Sequence, residues 1–358
     1  MRSLKLYGKQ DLRYEEAERP ILEKATDVII KVKAVGICGS DLSRYKKLGP
    51  YVEGMVWGHE FSGEVVEIGS EVKHISIGDR VAGAPCFTCA DLDVEEECYY
   101  CKKAEFARCE NLTVIGARHG GAYAEYIRLP EKNCVPIPDS VDYESAAMIE
   151  PSAVVIHGYY HTNLTAGDTV VVVGCGNIGL LSIKFAKIFG ATKIIAVDIA
   201  DEALEMAKAA GASHTINSLK EDTLETIGDY TDGLLADIVV ESAGSPITSA
   251  QVFAYAKKGG GVVFMGIPYA DISIERFYFE KIVRSELKVW GAWNCVSGPF
   301  PGKEWHTIMA LLENNQLELK SMITHRLTLA DGPSIFDTIT HKKPEDNFGK
   351  VMFFPEKE

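Results

Sequence analysis

Five of the nine cysteines in the 358-residue chain lie between Cys86 and Cys109, in the segment CFTCADLDVEEECYYCKKAEFARC. Thiols at this density indicate a metal site, a disulfide cluster or a redox switch. A tetrahedral zinc site closed by sulfur needs four of them and keeps no open position for substrate. The segment is therefore a candidate metal site with one thiol to spare.

A second group of potential metal ligands lies earlier in the chain, in VGICGSD and VWGHEFSG. These segments carry Cys38, His59 and Glu60. A thiolate, an imidazole and a carboxylate suit an open zinc site, in which one position stays available for water or substrate. Each residue also has a purely structural interpretation, because a buried cysteine or a histidine beside a glycine often only packs. Spacing alone leaves both interpretations open.

The segment VVVVGCGNIGLLSIKFAKIFGATKIIAVD contains the motif G-x-G-x-x-G, formed by Gly174, Gly176 and Gly179. The motif follows an apolar strand and opens an amphipathic helix, as in dinucleotide-binding folds. The glycines would permit a tight turn, the approach of a pyrophosphate and close helix–strand packing. The phosphates would lie at the helix N-terminus, where free N–H groups favour an anion.

Asp198 ends the next strand, about 20 residues after the motif, where a carboxylate can accept hydrogen bonds from ribose hydroxyls. It would repel a 2′-phosphate, and the following Ile199 and Ala200 supply no positive charge. The sequence therefore predicts NAD rather than NADP. The residues predicted to bind the cofactor are Gly174, Gly176, Asn177, Ile178, Gly179 and Asp198.

Two kinds of hydrophobic pattern divide the chain. About the first 150 residues contain short alternating segments and glycine turns, such as TDVIIKVKAVG, which predict a β-rich domain. From Pro151 onward, apolar runs such as TVVVVG and KIIAVD alternate with helical segments and predict a parallel sheet covered by helices. Beyond about residue 290 the pattern is irregular, with a helix near TIMALLENN and a last strand at FGKVMFFP.

The composition argues against several partners. A formal net charge of −14 and a pI near 5.2 disfavour nucleic acid and an anionic membrane surface. The N-terminal segment MRSLKLYGKQDLRYEE turns polar too early for a signal peptide, and no apolar run is long enough to span a bilayer. These features predict a cytoplasmic protein, in which clustered cysteines are more often metal ligands than disulfides.

The order of these motifs resembles the zinc-dependent medium-chain dehydrogenase/reductase family over essentially the whole chain. GHEFSGEVVEIGSEV is followed by GDRV, the cysteine segment, GGAYAEY and the glycine motif. CGSD together with AAMIEPSAVVIHG is similar to the polyol dehydrogenase branch. The resemblance implies an α/β protein with a β-rich GroES-like catalytic domain, residues 1–152 and 290–358. Residues 153–289 would form a Rossmann nucleotide-binding domain with a doubly wound parallel sheet.

The resemblance also implies roles for individual residues. A catalytic zinc would be held by Cys38, His59, Glu60 and Glu150, and the catalytic residues would be Ser40, Glu60 and Glu150. Ser40 would pass the substrate proton on, and Asp41 would orient His59. Some relatives have a histidine three residues after the Ser40 position, where this chain has Ser43, so the further proton route stays open.

A second, structural zinc is implied by the family pattern C-x2-C-x2-C-x7-C. Cys98, Cys101 and Cys109 match the C-terminal part of this pattern. The preferred ligand set is Cys89, Cys98, Cys101 and Cys109, with an acidic insertion after Cys89 and with Cys86 as the spare thiol. The competing set replaces Cys98 by Cys86.

The resemblance implies hydride transfer between NAD and a secondary hydroxyl of a sugar alcohol phosphate, with zinc lowering the pKa of that hydroxyl. Other members of the fold act on a free sorbitol-like polyol, 2,3-butanediol or threonine, and some bind nucleotide without catalysis. Residues 290–305 would line the substrate entrance, and Arg118, His119 and Lys281 are candidate phosphate anchors. The family implies a homodimer or homotetramer whose partner is a small polyol or polyol phosphate.

Overall fold

The computed structural model describes residues 1–92, 94–341, 346 and 348–357. These residues form two compact units. The first unit contains Met1–Ala153, the chain from Cys295 to His341, and the chain from Lys350 onward, whereas the second is built on Val154–Asn294. Within the described ranges, no helix is long and apolar enough to cross a membrane.

The N-terminal part of the first unit consists of short strands and a few helices. The strands are β1 (Arg2–Gly8), β2 (Asp11–Glu16), β3 (Asp27–Gly36), β4 (Met55–Val56), β5 (Glu60–Ile68), β6 (Arg80–Gly83), β7 (Cys86–Phe87), β8 (Thr113–Val114), β9 (Tyr126–Pro130) and β10 (Cys134–Pro136). The helices are α1 (Gly39–Ser43) and α2 (Tyr143–Ala147), and α3 (Ile149–His161) begins in this unit and continues into the second unit from Val154 onward. β1, β2 and β4 form a small sheet, and β7 pairs with β8.

The second unit is a parallel sheet with helices between its strands. The strands are β11 (Thr169–Val173), β12 (Lys193–Asp198), β13 (His214–Asn217), β14 (Ala236–Glu241), β15 (Ala256–Phe264) and β16 (Lys288–Gly291). The helices are α4 (Asn177–Ile188), α5 (Asp201–Ala210), α6 (Thr223–Tyr230), α7 (Pro246–Gln251) and α8 (Arg276–Arg284). The strand order β13-β12-β11-β14-β15-β16 is that of a doubly wound dinucleotide-binding fold.

The chain then returns to the first unit. The elements of this return are α9 (Lys303–Glu313), β17 (Ile323–Leu327), α10 (Gly332–Thr340) and β18 (Lys350–Phe353). The main sheet of the unit has the order β10-β6-β5-β3-β18-β17, and β9 also pairs with β3. β18 pairs antiparallel with β3 and parallel with β17, so a C-terminal strand lies inside a sheet of mostly N-terminal strands.

The predicted fold class is confirmed by this architecture. The apolar runs predicted as buried parallel strands form β11, β12, β14 and β15, and the predicted last helix and strand form α9 and β18. Val170, Val171 and Val172 in β11 are fully buried, because both faces of a central parallel strand are covered. The two outer strands, β13 and β16, were not indicated by the hydrophobic pattern.

Candidate functional site

Cys38, His59 and Glu60 are brought together by the pairing of β3 with β5. Gly36, which ends β3, pairs with Glu60, which begins β5. Cys38 precedes α1 as its N-cap residue, two positions after Gly36. One donor atom from each of the three residues lies within 4.8 Å of the others. A compact set of sulfur, nitrogen and oxygen donors suits zinc.

Asp41 and Tyr123 form a buried hydrogen-bonded arrangement beside His59. His59 Nδ1 lies 3.8 Å from Asp41 Oδ1, and Tyr123 Oη donates to Asp41 Oδ2 at 2.6 Å. Burial alone would lower the pKa of His59, but the Asp41 carboxylate and the Cys38 thiol raise it well above its usual value. Asp41 is thus placed to orient the imidazole, and Tyr123 holds Asp41 in position.

Glu60 has a second contact that the sequence did not indicate. The ammonium group of Lys350 donates to Glu60 Oε2, and it also donates to the backbone oxygen of Ile37 at 2.9 Å. The exposed fraction is 0% for Lys350 and 2% for Glu60. A Cβ at Gly36 would lie 2.4 Å from Lys350 Cε, so the glycine makes room for the lysine. A buried positive charge therefore lies directly against a predicted metal ligand.

Glu150 lies in the first turn of α3 and is buried. In the part of the chain that the structure describes, it lies outside the compact group of Cys38, His59 and Glu60. Its Oε1 accepts a hydrogen bond from Cys295 Sγ at 3.7 Å. Burial raises the pKa of Glu150 to about 7, with His59 opposing and Glu60 adding to the shift. Glu150 is thus near enough to His59 to interact with it electrostatically.

The remaining predicted residues of this region differ in exposure. Ser40 lies in α1 and is exposed to solvent. In the segment predicted to line the substrate entrance, Trp305 is fully buried and its Nε1 donates to the Cys295 oxygen at 2.8 Å. Trp293 is 55% exposed. Part of this segment therefore forms core, and sequence reasoning missed that Cys295 contacts Glu150.

The cysteine segment forms a second donor cluster within the first unit. The sulfur atoms of Cys89, Cys98, Cys101 and Cys109 all lie within 4.8 Å of one another. The Cys98 backbone N–H and the Asn111 amide donate to Cys89 Sγ at 3.4 and 3.3 Å. All four are free thiols in the structure. Four convergent sulfurs with N–H donors suit a closed structural zinc site.

Cys86 lies apart from this cluster. It is in β7, it is fully buried, and its thiol contacts that of Cys295, whose pKa is raised first by burial and then by Cys86. The structure therefore brings together the set that contains Cys98 and leaves Cys86 as the spare thiol. The predicted six-residue acidic insertion lies within residues 90–97, of which residue 93 lies outside the described part of the chain.

The glycine motif forms the turn between β11 and α4. Gly174 has a φ of 92°, and a Cβ at Gly179 would lie 1.8 Å from the Gly174 oxygen, so turn and helix pack closely. A Cβ at Gly176 would meet no atom within 4 Å, which leaves open space at the N-terminus of α4. Asn177 Oδ1 is buried without a hydrogen-bond partner among the described residues, and Ile178 follows it in α4. The N–H groups at an open helix N-terminus suit the phosphates of a bound dinucleotide, and the unused Asn177 oxygen is available for a hydrogen-bond donor.

Asp198 is held beside this turn by backbone donors. Its Oδ2 accepts from Cys175 N at 2.7 Å, and its Oδ1 accepts from Ile199 N and Ala200 N at 2.7 and 3.0 Å. A carboxylate has about four lone-pair sites, so capacity remains for ribose hydroxyls. Asp198 is therefore held at the position that the sequence predicts for a ribose-binding carboxylate.

The three candidate phosphate anchors have different surroundings. His119 Nε2 is hydrogen-bonded to Thr113 Oγ1 at 2.8 Å, and its ring lies edge-on to Phe87. The Lys281 ammonium lies over the ring of Phe277, 5.0 Å from its centroid. Of the three side chains, Arg118 is the exposed one, and among the described residues it has no comparable contact with an aromatic ring.

Two family descriptions match the chain. Residues 24–139 match the alcohol dehydrogenase GroES-like domain, and residues 177–314 match the zinc-binding dehydrogenase domain. The chain belongs to the family of zinc-binding dehydrogenases, which are oxidoreductases that act on alcohols with a nicotinamide dinucleotide. The predicted family, enzyme class and cofactor classes are therefore confirmed.

Individual relatives carry the names of different substrates. The chain is 32% identical over 348 residues to galactitol 1-phosphate 5-dehydrogenase of Escherichia coli, covering 96% of this chain and 97% of the relative. The crystal structure of galactitol-1-phosphate dehydrogenase from Escherichia coli superposes with a TM-score of 0.91 at 31% identity, covering 99% and 100% of the two chains. Sorbitol dehydrogenase of Bacillus subtilis is 32% identical over 360 residues, covering 99% and 97%. A putative zinc-binding dehydrogenase of Sinorhizobium meliloti bound to NADP superposes with a TM-score of 0.87 at 30% identity, covering 99% of each chain.

Proposed function

We propose that the chain oxidises a secondary hydroxyl of a polyol phosphate and transfers the hydride to NAD. The first candidate reaction converts galactitol 1-phosphate to tagatose 6-phosphate. The observation that carries the proposal is the grouping of Cys38, His59 and Glu60 within 4.8 Å in a chain of the zinc-binding dehydrogenase family. The similarity to galactitol 1-phosphate 5-dehydrogenase supports a phosphorylated substrate.

The residues around this group have separate roles in the proposal. Cys38, His59 and Glu60 hold the catalytic zinc, with Glu150 as the fourth ligand. When bound, zinc supplies a Lewis acid that lowers the pKa of the substrate hydroxyl. The exposed hydroxyl of Ser40 takes the substrate proton and passes it to solvent.

Asp41 and Tyr123 contribute by positioning. Asp41 accepts hydrogen bonds from Tyr123 Oη and from the Cys38 backbone N–H at 2.6 and 3.2 Å, which fixes its carboxylate opposite His59. A fixed carboxylate holds the imidazole in one orientation and one tautomer. The ligand geometry is therefore set before substrate binds.

A substrate panel tests the reaction. NADH formation is measured with galactitol 1-phosphate, galactitol, sorbitol, 2,3-butanediol and threonine, before and after chelation of zinc. We expect the highest kcat/KM with galactitol 1-phosphate and loss of activity after chelation. Turnover of a free polyol, butanediol or threonine with none of the phosphate ester would identify the alternative substrates instead.

A pair of cysteine variants tests the metal site. Cys38→Ala is expected to abolish turnover, whereas Cys134→Ala, which alters another buried thiol in the same unit, should keep it. Activity unaffected by Cys38→Ala would contradict the mechanism, because turnover would then not depend on the proposed zinc site. Arg118→Ala tests the phosphate anchor, with an increase in KM for the phosphate ester and not for free galactitol as the expected result.

The preference for NAD over NADP rests on Asp198. Its carboxylate is fixed by three backbone N–H groups and would repel a 2′-phosphate, and Ile199 and Ala200 carry no charge. Asp198→Ala removes hydrogen-bond acceptors for the ribose, so kcat/KM for NAD should fall about tenfold. The ratio of NADP to NAD turnover should rise, and an unchanged ratio would contradict the role of Asp198.

The oligomeric form is proposed to be a homodimer, or a homotetramer built from such dimers. β16 is the edge strand of the parallel sheet, and Val289 in it is 44% exposed. An edge with unpaired N–H and C=O groups is a template for pairing with a second copy. Val289→Lys is expected to yield monomers in analytical ultracentrifugation, whereas Leu219→Lys, at another exposed apolar position, should not. A monomeric parent protein would contradict the proposal.

A further inference from the structure

Glu241 is a buried acid to which the proposed chemistry assigns no role. It ends β14 and pairs with Val173 at the end of β11, directly before the glycine turn. β11 and β14 are the central strands at which the strand order reverses direction. In doubly wound sheets the dinucleotide binds in the crevice at the carboxyl ends of these strands. Glu241 is 0% exposed at this point of the fold.

The residue ties two loops to the sheet. Its Oε1 accepts hydrogen bonds from Gly244 N at 3.0 Å and from Thr248 Oγ1 at 2.7 Å. Its backbone oxygen accepts from Met265 N and Gly266 N at 2.8 and 2.9 Å. One residue therefore fixes the loop of residues 242–245, which follows β14, and the loop of residues 265–267, which follows β15.

The loop of residues 242–245 packs tightly between the glycine turn and the second loop. Ser242 Oγ donates to the Gly174 oxygen at 2.9 Å, and a Cβ at Gly174 would lie 2.6 Å from Ala243 N. A Cβ at Gly266 would lie 2.4 Å from Gly244 N. The first loop therefore contacts both the turn and the second loop at close range, so a displacement of the first loop is transmitted to the turn predicted to receive the pyrophosphate.

The surroundings of the second carboxylate oxygen of Glu241 are unusual for a side chain with a purely structural role. Oε2 is buried and has no hydrogen-bond partner among the described residues. A Cβ at Gly266 would lie 2.6 Å from it, so the oxygen faces the second loop at close range. Burial raises the pKa of Glu241, and the hydrogen bonds from Thr248 and from the backbone N–H groups of residues 243–245 only partly offset this. A buried polar atom without a partner is costly, and such costs are retained at functional positions.

We propose that Glu241 is a positioning residue for the nicotinamide dinucleotide, because its buried carboxyl group holds residues 242–245, and through them the packed loop of residues 265–267, in place beside the glycine turn. The proposal deepens the proposed function and rests on dinucleotide use, not on the identity of the alcohol. Loops released from Glu241 spend less time in the binding-competent arrangement. The apparent affinity falls in proportion to the fraction of competent protein.

The test measures NADH binding without any alcohol, by the change in NADH fluorescence, and then separates KM for NAD from kcat. Glu241→Ala should weaken NADH binding about tenfold, since the hydrogen bonds from Gly244 in the loop and from Thr248 in α7 are lost. Glu241→Gln keeps an acceptor oxygen for Gly244 and Thr248 and should bind within about twofold of the parent. KM for NAD should rise in the alanine variant while KM for the alcohol stays unchanged.

Two further variants keep the test decisive if Glu241→Ala does not fold. Thr248→Val removes one donor to Oε1 at nearly constant volume and should weaken NADH binding about threefold. Ser249→Ala is the matched control, because the neighbouring Ser249 hydroxyl is buried with no partner among the described residues. Equal NADH affinity in the parent, Thr248→Val and Ser249→Ala would overturn the proposal. A fall in kcat with unchanged NADH affinity would also overturn it, whereas failure of the substrate panel alone would leave it standing.

Discussion

Replacing Lys350 by methionine removes the positive charge of the buried ion pair while keeping most of the side-chain volume. The Lys350 ammonium donates to Glu60 Oε2 and to the Ile37 oxygen. In the variant, the Glu60 carboxylate stays in a site with 2% exposure and loses the ammonium group beside it. The carboxylate must then be buried without compensation or must draw water into the sheet.

The structure sets the size of the expected loss. Both side chains are almost completely removed from solvent, so the pair belongs to the class whose disruption costs about 3–5 kcal/mol. We expect Lys350→Met to lower the free energy of unfolding of the first unit by about 4 kcal/mol, a large part of the roughly 5–15 kcal/mol typical of a folded domain. Adding Glu60→Gln removes the uncompensated charge and should restore about 2 kcal/mol.

Urea unfolding followed by circular dichroism measures these differences. All samples contain a chelator, so that loss of zinc binding at Glu60 does not contribute. Lys208→Met is the matched control, because Lys208 pairs with Glu205 on an exposed helix face at 2.6 Å, and its urea midpoint should stay near that of the parent. A loss below about 1 kcal/mol for Lys350→Met, or a double variant less stable than the single one, would refute the reasoning.

Three further predictions follow from the metal cluster, the glycine turn and a surface ion pair. Cys98→Ser should reduce bound zinc by one ion per chain while Cys86→Ser leaves it unchanged, as measured by elemental analysis, and equal zinc in both variants would contradict the assignment. Gly176→Ala should weaken NADH binding without a change in stability, because a Cβ there meets no protein atom within 4 Å. Gly179→Ala, whose Cβ would lie 1.8 Å from a carbonyl oxygen, should lower the unfolding midpoint. A destabilised Gly176→Ala beside a fully stable Gly179→Ala would be inconsistent with the packing. Arg326 donates two hydrogen bonds to the Glu144 carboxylate and thereby lowers the pKa of Glu144. The stability that this pair contributes is therefore present above the ordinary carboxyl pKa and is lost as the pH falls through the lowered pKa. In urea unfolding, Glu144→Gln should be less stable than the parent by about 0.5–1 kcal/mol near neutral pH. In acid, the two proteins should be equally stable.

The central strands of the second unit were predictable because parallel strands covered on both faces require continuous apolar runs. β11 has such a run, and its valines are buried. β16 has four residues, of which Val289 is exposed, and β13 is equally short and partly polar. Edge strands of this kind have too few buried positions to produce a pattern, so their pairing is decided by the neighbouring strand.

The candidate metal ligands could be recognised from the sequence because cysteine, histidine and glutamate are residue types that bind zinc. Their buried partners were not recognisable. Lys350 lies 290 residues after Glu60, and Cys295 lies 145 residues after Glu150. A lysine or cysteine in an apolar strand or an irregular segment carries no local sign of such a contact. The contact follows only from the way in which β18 and the chain after the second unit return to the first.

The separation between Glu60 and Lys350 also has a consequence for synthesis of the protein. A ribosome that adds about 5–20 residues per second needs roughly 15–60 seconds to travel the 290 residues from one to the other. The segment Val154–Asn294, which contains all six strands of the parallel sheet, is translated within that interval, so this sheet can form on the ribosome. Until β18 emerges, the Val35–Gly36 end of β3 lacks its partner strand and Glu60 lacks the Lys350 ammonium group. The first unit therefore keeps an unpaired strand end, a site open to aggregation, after the sheet of the second unit has been synthesised.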